Sequence, residues 1–519
     1  MWDKFNFLHD KEIYNSNLID SFPQICYNDR QFDQTGSRKS AGDFPSGTFA
    51  GRPKQGKVSR MQKERNRIHA VKDLCEEFRK YNQIDPVLYE RFDVKRGLRN
   101  QDGTGVMAGL TQICNVHGYV LNEGEREAVE GELYYRGYNI RDLTGNCQAE
   151  GRFGYEEVIY LLMFGVLPTK EQLAMINRVM AHFMYLPESF FEDMMLKAPS
   201  PNIMNKLARS VLALYSYDED ADEISLETEI SRALQVQAKM HNLMVKAYQI
   251  KRRCYDNETM VLHPEKEGLS TAEEILYLLR MDQQYTREEA LMLDLCLMLH
   301  AEHGGGNNST FVCRTLSSSG TDAYSAYAGA IGALKGPLHG GANIKVLEML
   351  ENIKKNLPHP QDSGALADYL VKILNREAND FSGKIYGMGH AVYTISDPRA
   401  IILKENAARL AKGTPFEADF ALLSQIEALT PQILAGQKGS GKPICANVDL
   451  YSGLVYQMLG IPRDLFTPLF ATSRMAGWSA HRIEELFTGG RIIRPAYKSV
   501  SKPQPYIPIA MRTAGGPVR

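Results

Sequence analysis

Three histidines and one aspartate lie at places in this sequence where side chains could do chemistry. His303, His339 and His390 each belong to a short glycine-containing segment, and Asp449 lies at a predicted helix start. Glycine lets the backbone approach a ligand closely, and loops on a rigid scaffold often carry functional side chains. These four residues are therefore candidates for acid–base work.

The same region of the chain also supplies cations. Arg399, Arg474 and Arg494 follow the histidine and aspartate segments. Condensation of an acyl thioester with a keto diacid needs a carboxylate base, two hydrogen-bond donors and several cations for the carboxylates. The residue types match that set. Each residue alone also fits an ordinary structural role, such as a buried histidine, a helix cap or a surface ion pair, so the spacing leaves both interpretations open.

Other motifs in the sequence are incomplete. Gly436–Lys442 has the spacing of a phosphate-binding loop, but Pro443 replaces the required Ser or Thr and would obstruct the following helix. The run after His303 resembles a lipase oxyanion loop, yet the chain has no G-x-S-x-G. His300 and His303 lack a third ligand nearby, so no metal site is predicted.

The composition is that of a globular protein. The chain has 519 residues, 44% of them hydrophobic, and a formal net charge of −2. That balance gives no general attraction to nucleic acid or to an anionic membrane, and no apolar run is long enough to span a bilayer. The eight cysteines are scattered and form no C-x-x-C pair, which is typical of reduced thiols and predicts a cytoplasmic protein.

The elements that must position these residues are predicted to be mostly α-helices. Helical periodicity prevails from about residue 68, and Thr286 with Glu289 predicts a capping box ahead of a buried helix. Short strands are predicted only at Gly118–Leu121 and Glu132–Arg136. Within residues 1–66, the segment Gln34–Arg60 is rich in glycine, serine, lysine, arginine and proline and poor in aliphatics, and we predict a flexible extension.

Four segments of the chain resemble the motifs of the citrate synthase family, in that family's order. They are Leu299–Asn307 (LHAEHGGGN), Gly336–Asn343 (GPLHGGAN), Gly387–Tyr393 (GMGHAVY) with Asp397-Pro398-Arg399 behind it, and Asn447–Gly453 (NVDLYSG) followed by Ser473-Arg474 and Arg494-Pro495. Similar stretches at Arg96–Arg99, Glu130–Gly137 and Phe164–Pro168 extend the resemblance over about residues 80–500.

The resemblance implies a role for each matching residue. Asp449 would take a proton from the acyl α-carbon, and His339 would donate to the enol oxygen as a neutral ring. The helix near Gly341 is our candidate for keeping His339 neutral. His390 would polarise the oxaloacetate ketone and protonate the product alkoxide. Oxaloacetate would also be bound by His303, Arg399, Arg474 and Arg494. Phe470 would line the pocket.

A second implied site binds the CoA part of the substrate. The resemblance assigns it to the loop Ser382–Gly389, with contacts from Lys384, Ile385, Tyr386, Gly387, Met388 and Gly389. Lys384, Lys438 and Lys442 are candidates for the CoA phosphates, although solvated loop lysines would look the same. Many family members carry Arg and Lys where this chain has Ala391 and Thr394. No metal or redox cofactor is implied, since CoA enters as part of the substrate.

The resemblance also implies an architecture and a set of functions. A large helical domain would be formed by residues 67–338 and 452–519, with a smaller helical domain, 339–451, inserted between its two parts in the chain. Oxaloacetate binding would bring the two domains together over the site. Arg494 would reach the site of a neighbouring subunit, which implies a homodimer. The function implied is citrate synthesis from acetyl-CoA. A 2-methylcitrate synthase using propionyl-CoA, a citryl-CoA cleavage module and a non-catalytic binding protein remain alternatives, because one methylene is worth only about 1–3 kcal/mol in a pocket.

Overall fold

The computed structural model describes residues 71–72, 74–79, 82–100, 102–123, 125–438 and 443–512. It is built mainly of α-helices, which confirms the predicted fold class. The chain divides into a unit that ends at Ile84 and a unit from Asp85 onward. The first contributes a helix within residues 71–79, here called α1. The predicted extension, 1–66, lies outside the described residues.

The second unit contains the remaining helices, joined mostly by short connections. They are α2 (Val87–Arg91), α3 (Ile140–Glu150), α4 (Tyr155–Phe164), α5 (Lys170–Phe183), α6 (Ile203–Ala213), α7 (Leu226–Tyr255), α8 (Thr271–Leu279), α9 (Arg287–His300), α10 (Asn308–Ser317), α11 (Ala323–Lys335), α12 (Ala342–Asn356), α13 (Ser363–Leu374), α14 (Pro398–Ala411), α15 (Glu417–Lys438), α16 (Asp449–Met458) and α17 (Phe466–Phe487).

The described strands form one small antiparallel sheet. Its strands are β1 (Cys114–Asn122), β2 (Glu125–Tyr135) and β3 (Tyr138–Asn139), in that order. Cys114 pairs with Tyr135, and Asn122 pairs with Glu125. The predicted segment Gly118–Leu121 lies within β1, and Glu132–Arg136 overlaps the end of β2 but extends one residue past it, since Arg136 is in a turn. Both strands are longer than the predicted segments.

The predicted capping box is confirmed at the start of α9, where the Thr286 side chain accepts from the Glu289 N–H. The helix that follows is buried, as predicted, including its one acidic residue in the apolar run, Asp294. Asp294 accepts hydrogen bonds from the backbone N–H groups of Gly154 and Tyr155, at 2.7 and 3.2 Å. It therefore satisfies the free N–H groups at the start of α4.

The helix α17 runs through the core and sets the position of the residues along it. It packs against α4, α7, α9, α10 and α11. Trp478 is fully buried in it, and Arg482 donates to both carboxylate oxygens of Glu229 on α7 at 2.7 and 2.8 Å. Breaking a buried pair of this kind costs about 3–5 kcal/mol. The Arg482–Glu229 pair therefore fixes the rotation of α17 about its axis and its position along α7.

The helices α12 to α16 contact one another, and α14 also contacts α3, α9 and the strand β2. This is the segment predicted as an inserted domain, and its boundaries at 339 and 451 stay a prediction. Within the described residues, no helix combines the length and apolar character needed to cross a membrane. The described cysteines are free thiols, as the sequence predicts.

Candidate active site

The motif segments come together where helices begin or end. His303 lies in the connection between α9 and α10, and His339 lies between α11 and α12. His390 precedes α14, and Asp449 is the first residue of α16. Loops and helix ends carry these side chains, while the buried helices behind them fix the positions.

Two of the histidines are in contact with a tyrosine. The ring centroids of His303 and His390 are 5.0 Å apart, and the ring planes are nearly perpendicular. Tyr393 stacks on His390 at 4.7 Å and lies 5.6 Å from His303. Residues 87 positions apart in the chain therefore share one aromatic cluster.

The ring of His390 has a fixed proton position. Its Nδ1 accepts hydrogen bonds from the backbone N–H groups of Val392 and Tyr393, at 3.0 and 3.1 Å. An atom that accepts twice carries no proton, so the neutral ring carries its proton on Nε2. His390 can thus donate from Nε2 to a substrate oxygen.

His339 has the opposite tautomer. Its Nε2 accepts from the backbone N–H of Ser309 at 3.2 Å, which leaves the proton on Nδ1. Ser309 lies in the first turn of α10, where N–H groups are free to donate. The helix α12 does begin after Gly341, as expected, but the hydrogen bond that fixes the ring comes from α10.

Burial keeps these rings neutral. It lowers the pKa of His339 to about 4, with a further contribution from Arg474. Burial and the charge of Arg399 lower the pKa of His390 to about 4 as well. The pKa of His303 lies well below its usual value for the same two reasons. At neutral pH the site therefore contains three neutral imidazoles.

Arg399 is held at the start of α14 by the residue that caps this helix. Asp397 accepts from the Arg399 backbone N–H at 3.0 Å and from its Nε and Nη2 at 3.1 and 2.8 Å. Both side chains are buried. A buried, two-point ion pair gives the guanidinium one orientation.

Arg474 is buried one helical turn after Phe470 on α17. Its Nε donates to the His300 carbonyl at 2.7 Å, and its guanidinium lies 4.7 Å from the Phe470 ring centroid. The His300 ring meets the same phenyl ring edge-on at 4.5 Å. The aromatic wall therefore orients both the arginine and the end of α9.

Asp449 is the carboxylate of this cluster. Burial raises its pKa to about 6, against the lowering influence of Arg399 and Arg474. Its backbone N–H donates to the side chain of Asn447 at 3.0 Å. A carboxylate with a pKa near the working pH is a good proton acceptor that still ionises.

The β1–β2 hairpin supports the loop that carries His390. The Gly131 N–H donates to Ser396 Oγ at 3.0 Å, and the Tyr393 hydroxyl donates to the Glu132 carbonyl at 3.2 Å. A Cβ at Gly131 would lie 2.0 Å from the Ser396 carbonyl oxygen. Only glycine allows this approach of the two backbones.

Backbone pairing also joins the predicted CoA loop to the segment of Asp449. The Gly389 N–H donates to the Cys445 carbonyl at 2.8 Å, and the Asn447 N–H donates to the Gly387 carbonyl at 2.9 Å. Met388 bridges to Ala446. The histidine and the carboxylate are thus connected through a short two-stranded contact.

The predicted CoA contacts differ in exposure. Lys384 is exposed, whereas the Ile385 side chain is buried in the core. The Tyr386 hydroxyl donates to Asp380 at 2.6 Å, which braces the loop. The Lys438 side chain and all of Lys442 lie outside the described residues.

Arg494 is the remaining predicted substrate residue. It is exposed in the extended segment after α17. His303, His339, His390, Asp449, Arg399, Arg474 and Phe470 are brought together.

Several residues that hold the site have no role predicted from the sequence. Tyr393 and Asp397 lay inside quoted motifs, so their positions were a usable signal. Ser309 acts through its backbone, and no side-chain pattern could have indicated that contact.

Comparison with known proteins relates this geometry to a family. Residues 100–496 match the model for "Citrate synthase, C-terminal domain". A relative in Bacillus subtilis named citrate synthase 2 is 35% identical over 389 residues, which covers 74% of this chain and 94% of the relative. A 2-methylcitrate synthase of Shewanella oneidensis is 32% identical over 382 residues, with coverage of 73% and 92%.

A solved structure has the same architecture. The citrate synthase of Thermoplasma acidophilum, described as a ternary complex with carboxymethyl coenzyme A and oxaloacetate, is 26% identical and superposes with a TM-score of 0.65. The match covers 81% of this chain and 99% of that one.

Proposed function

We propose that this chain, which belongs to the citrate synthase family of acyltransferases, condenses acetyl-CoA with oxaloacetate and water to give citrate and CoA. The observation that supports it best is one half-buried carboxylate, Asp449, in a cluster with neutral histidines of opposite tautomer. Asp449 is ionisable near pH 6, and His339 and His390 carry their protons on different ring nitrogens.

The first step we infer is enol formation. The Asp449 carboxylate takes a proton from the acetyl methyl carbon, while His339 Nδ1–H donates to the thioester oxygen that becomes the enol oxygen. A neutral imidazole suits this role because its N–H is a weak acid whose pKa lies nearer to that of the enol than the pKa of a charged ring does. The fixed Ser309 contact means that the ring needs no reorientation during the reaction.

The second step is carbon–carbon bond formation. His390 Nε2–H donates to the oxaloacetate ketone and gives its proton to the alkoxide as the enol carbon attacks. His303, Arg399 and Arg474 bind the oxaloacetate carboxylates, and Phe470 forms the apolar wall. Water then cleaves the citryl thioester: its hydroxyl bonds to the acyl carbon, its proton returns to His390, and the proton held by Asp449 leaves with the CoA thiolate as the free thiol. These residues supply each acid, base and cation, so the proposal includes no metal or redox cofactor.

The proposal extends to assembly and location. We infer a homodimer in which the exposed Arg494 enters the partner's site, and a cytoplasmic location. The relative solved with a CoA analogue and oxaloacetate supports binding of both substrates here. The predicted CoA loop and the closure of the 339–451 domain are parts of the same proposal.

A 2-methylcitrate synthase is the second candidate, because a relative of nearly equal similarity carries that name. The test is CoA release by the purified protein with oxaloacetate, with acetyl-CoA and propionyl-CoA compared as kcat/KM. We expect acetyl-CoA to be preferred. A preference for propionyl-CoA would change the acyl donor and keep the mechanism. No turnover with either would overturn the proposed function. Asp449→Ala is the background control.

A further inference from the structure

A chain of buried polar side chains runs behind the substrate cluster. Glu302 and His481 are both fully buried, and Glu302 Oε1 lies 3.0 Å from His481 Nε2. Arg314 Nε donates to His481 Nδ1 at 3.0 Å, and Arg314 also pairs with Glu485 at 2.7 Å and with Glu484. None of these residues has a role in the reaction proposed above.

The direction of the hydrogen bonds follows from the donors. The guanidinium of Arg314 can only donate, so His481 Nδ1 is an acceptor and carries no proton. The neutral His481 ring therefore carries its proton on Nε2 and donates it to the Glu302 carboxylate. Burial raises the pKa of Glu302, but the His481 ring, Arg474 and the Gly304 N–H together bring the pKa below its usual value.

Glu302 holds two parts of the substrate cluster. Its Oε1 accepts from the Gly304 N–H at 2.5 Å, which fixes the turn immediately after His303. Its other oxygen lies against α17: a Cβ at Gly477 would be 2.0 Å from Oε2. Gly477 lies between Arg474 and His481 on that helix, and the Glu302 charge favours the ionised form of Arg474. Before oxaloacetate binds, Glu302 is a nearby counter-charge of this buried arginine.

Resting on the proposed function, we propose that His481 is a positioning residue for oxaloacetate. Its Nε2–H fixes the Glu302 carboxylate, which in turn sets the His303–Gly304 turn and balances the charge of Arg474. Because Arg314 lies on α10, the helix whose Ser309 N–H orients His339, one helix supports both halves of the site.

Two polar replacements of His481 distinguish a role of its hydrogen bond to Glu302 in oxaloacetate binding from a contribution of the side chain to core packing alone. His481→Gln keeps an N–H near the position of Nε2, whereas His481→Asn keeps polar atoms only near the position of Nδ1. We expect the KM for oxaloacetate to stay within about threefold for Gln and to rise about tenfold or more for Asn, as for loss of a hydrogen bond to a buried charge. The kcat should change less than the KM.

The pH profile gives a second readout. Without the His481 donor, burial raises the pKa of Glu302, so Glu302 takes up a proton at a higher pH than in the wild type. When the pH is lowered, oxaloacetate binding should therefore begin to weaken at a higher pH in His481→Asn than in the wild type. The titratable and charged groups facing Glu302 are Cys114 on β1, Tyr135 on β2, and Arg474 and His481 on α17. The groups other than His481 are the same in both proteins, so the diagnostic result is the difference between the wild type and His481→Asn in the pH at which oxaloacetate binding weakens.

His241→Asn is the matched control, because His241 is also a buried histidine and its ring has no hydrogen-bond partner within the described residues. It should lower thermal stability and leave the KM for oxaloacetate unchanged. Equal KM values for His481→Gln and His481→Asn, or a loss of stability alone in both, would overturn the positioning role.

A spectroscopic readout is independent of activity. Ring-nitrogen NMR of the unliganded wild type should show His481 as the neutral Nε2–H tautomer at pH 7. A charged ring or an Nδ1–H tautomer would contradict the proposed direction of the hydrogen bonds, from Arg314 to His481 and from His481 to Glu302. If the wild type fails to bind oxaloacetate while His481 shows the expected tautomer, the proposed function is wrong and the Arg314–His481–Glu302 contacts stand.

Discussion

At the scale of single residues, burial sets the protonation state of each titratable group in the site. Asp449 is half-buried near the buried Arg399 and Arg474, and desolvation raises its pKa to about 6. The same cause keeps His339 and His390 neutral, with pKa values lowered to about 4. The three shifts have one main cause, burial, which acts in opposite directions on acids and bases. The same environment therefore makes a carboxylate more basic and keeps the imidazoles as donors.

This burial predicts how Asp449→Asn behaves. Turnover should fall by about 10²- to 10⁴-fold, the usual contribution of a general base. In the wild type, kcat should fall about tenfold for each pH unit below about 6, as Asp449 takes up a proton. Steady-state kinetics between pH 5 and 9 would check both expectations, and an unchanged kcat in the variant would exclude Asp449 as the base.

The same substitution should stabilise the fold at high pH. The folded pKa of Asp449 lies above the usual 3.8, so ionisation destabilises the folded state as the pH rises from about 4 to about 6. The shift corresponds to roughly 3 kcal/mol. Asp449→Asn should therefore raise the melting temperature at pH 8 and leave it unchanged near pH 3.5. A variant that melts lower at pH 8 would contradict this sign.

At the scale of elements, the β1–β2 hairpin supports the loop that carries His390. It lies against residues 392–396 through the Gly131 N–H, the Tyr393 hydroxyl and Arg126, which donates to the Val392 carbonyl at 3.1 Å. A small sheet in a helical protein thus holds the His390 ring, whose own tautomer depends on the backbone of the same loop.

Gly131→Ala tests this support. The new Cβ would meet the Ser396 carbonyl oxygen, so the loop must move; we expect a loss of about 1–3 kcal/mol of stability and at least a tenfold loss of kcat. The matched control is Gly145→Ala inside α3, where a Cβ meets nothing within 4 Å. That control should be neutral or more stable by up to about 1 kcal/mol. Wild-type kinetics in Gly131→Ala would show that the hairpin does not position the loop.

At the scale of the whole molecule, the proposed homodimer implies that Arg494 makes a second chain necessary for activity. It is exposed after α17, while the rest of the cluster is assembled within the chain. If Arg494 completes the partner's site, then Arg494→Gln and Asp449→Asn are defective in different halves of one shared site. Each variant alone should have little activity.

Mixing the two inactive variants under conditions of subunit exchange should restore activity. In a mixed dimer, one site combines the intact Asp449 of one chain with the intact Arg494 of the other. With full exchange, about half of the dimers are mixed and one of their two sites is intact, so roughly a quarter of the wild-type activity should return. No recovery in mixed dimers verified by mass spectrometry would place Arg494 in the site of its own chain.

Local sequence patterns predict the fold class, the helix start at Thr286, the approximate strand positions and the candidate site residues. These features depend on local chemistry: periodicity, capping and glycine are read over a few neighbours along the chain. The family resemblance added roles for those candidates, and the structure brings most of them into one cluster.

The proton positions on the histidine rings and the contacts that hold the site follow only from the packing of distant segments. The tautomer of His339 depends on an N–H 30 residues away, and the Glu302–His481 pair joins residues 179 positions apart. No local pattern encodes such contacts, because they arise only when α10 and α17 pack beside the α9 end. The pKa values follow for the same reason, since burial is a property of the packed helices and not of any segment.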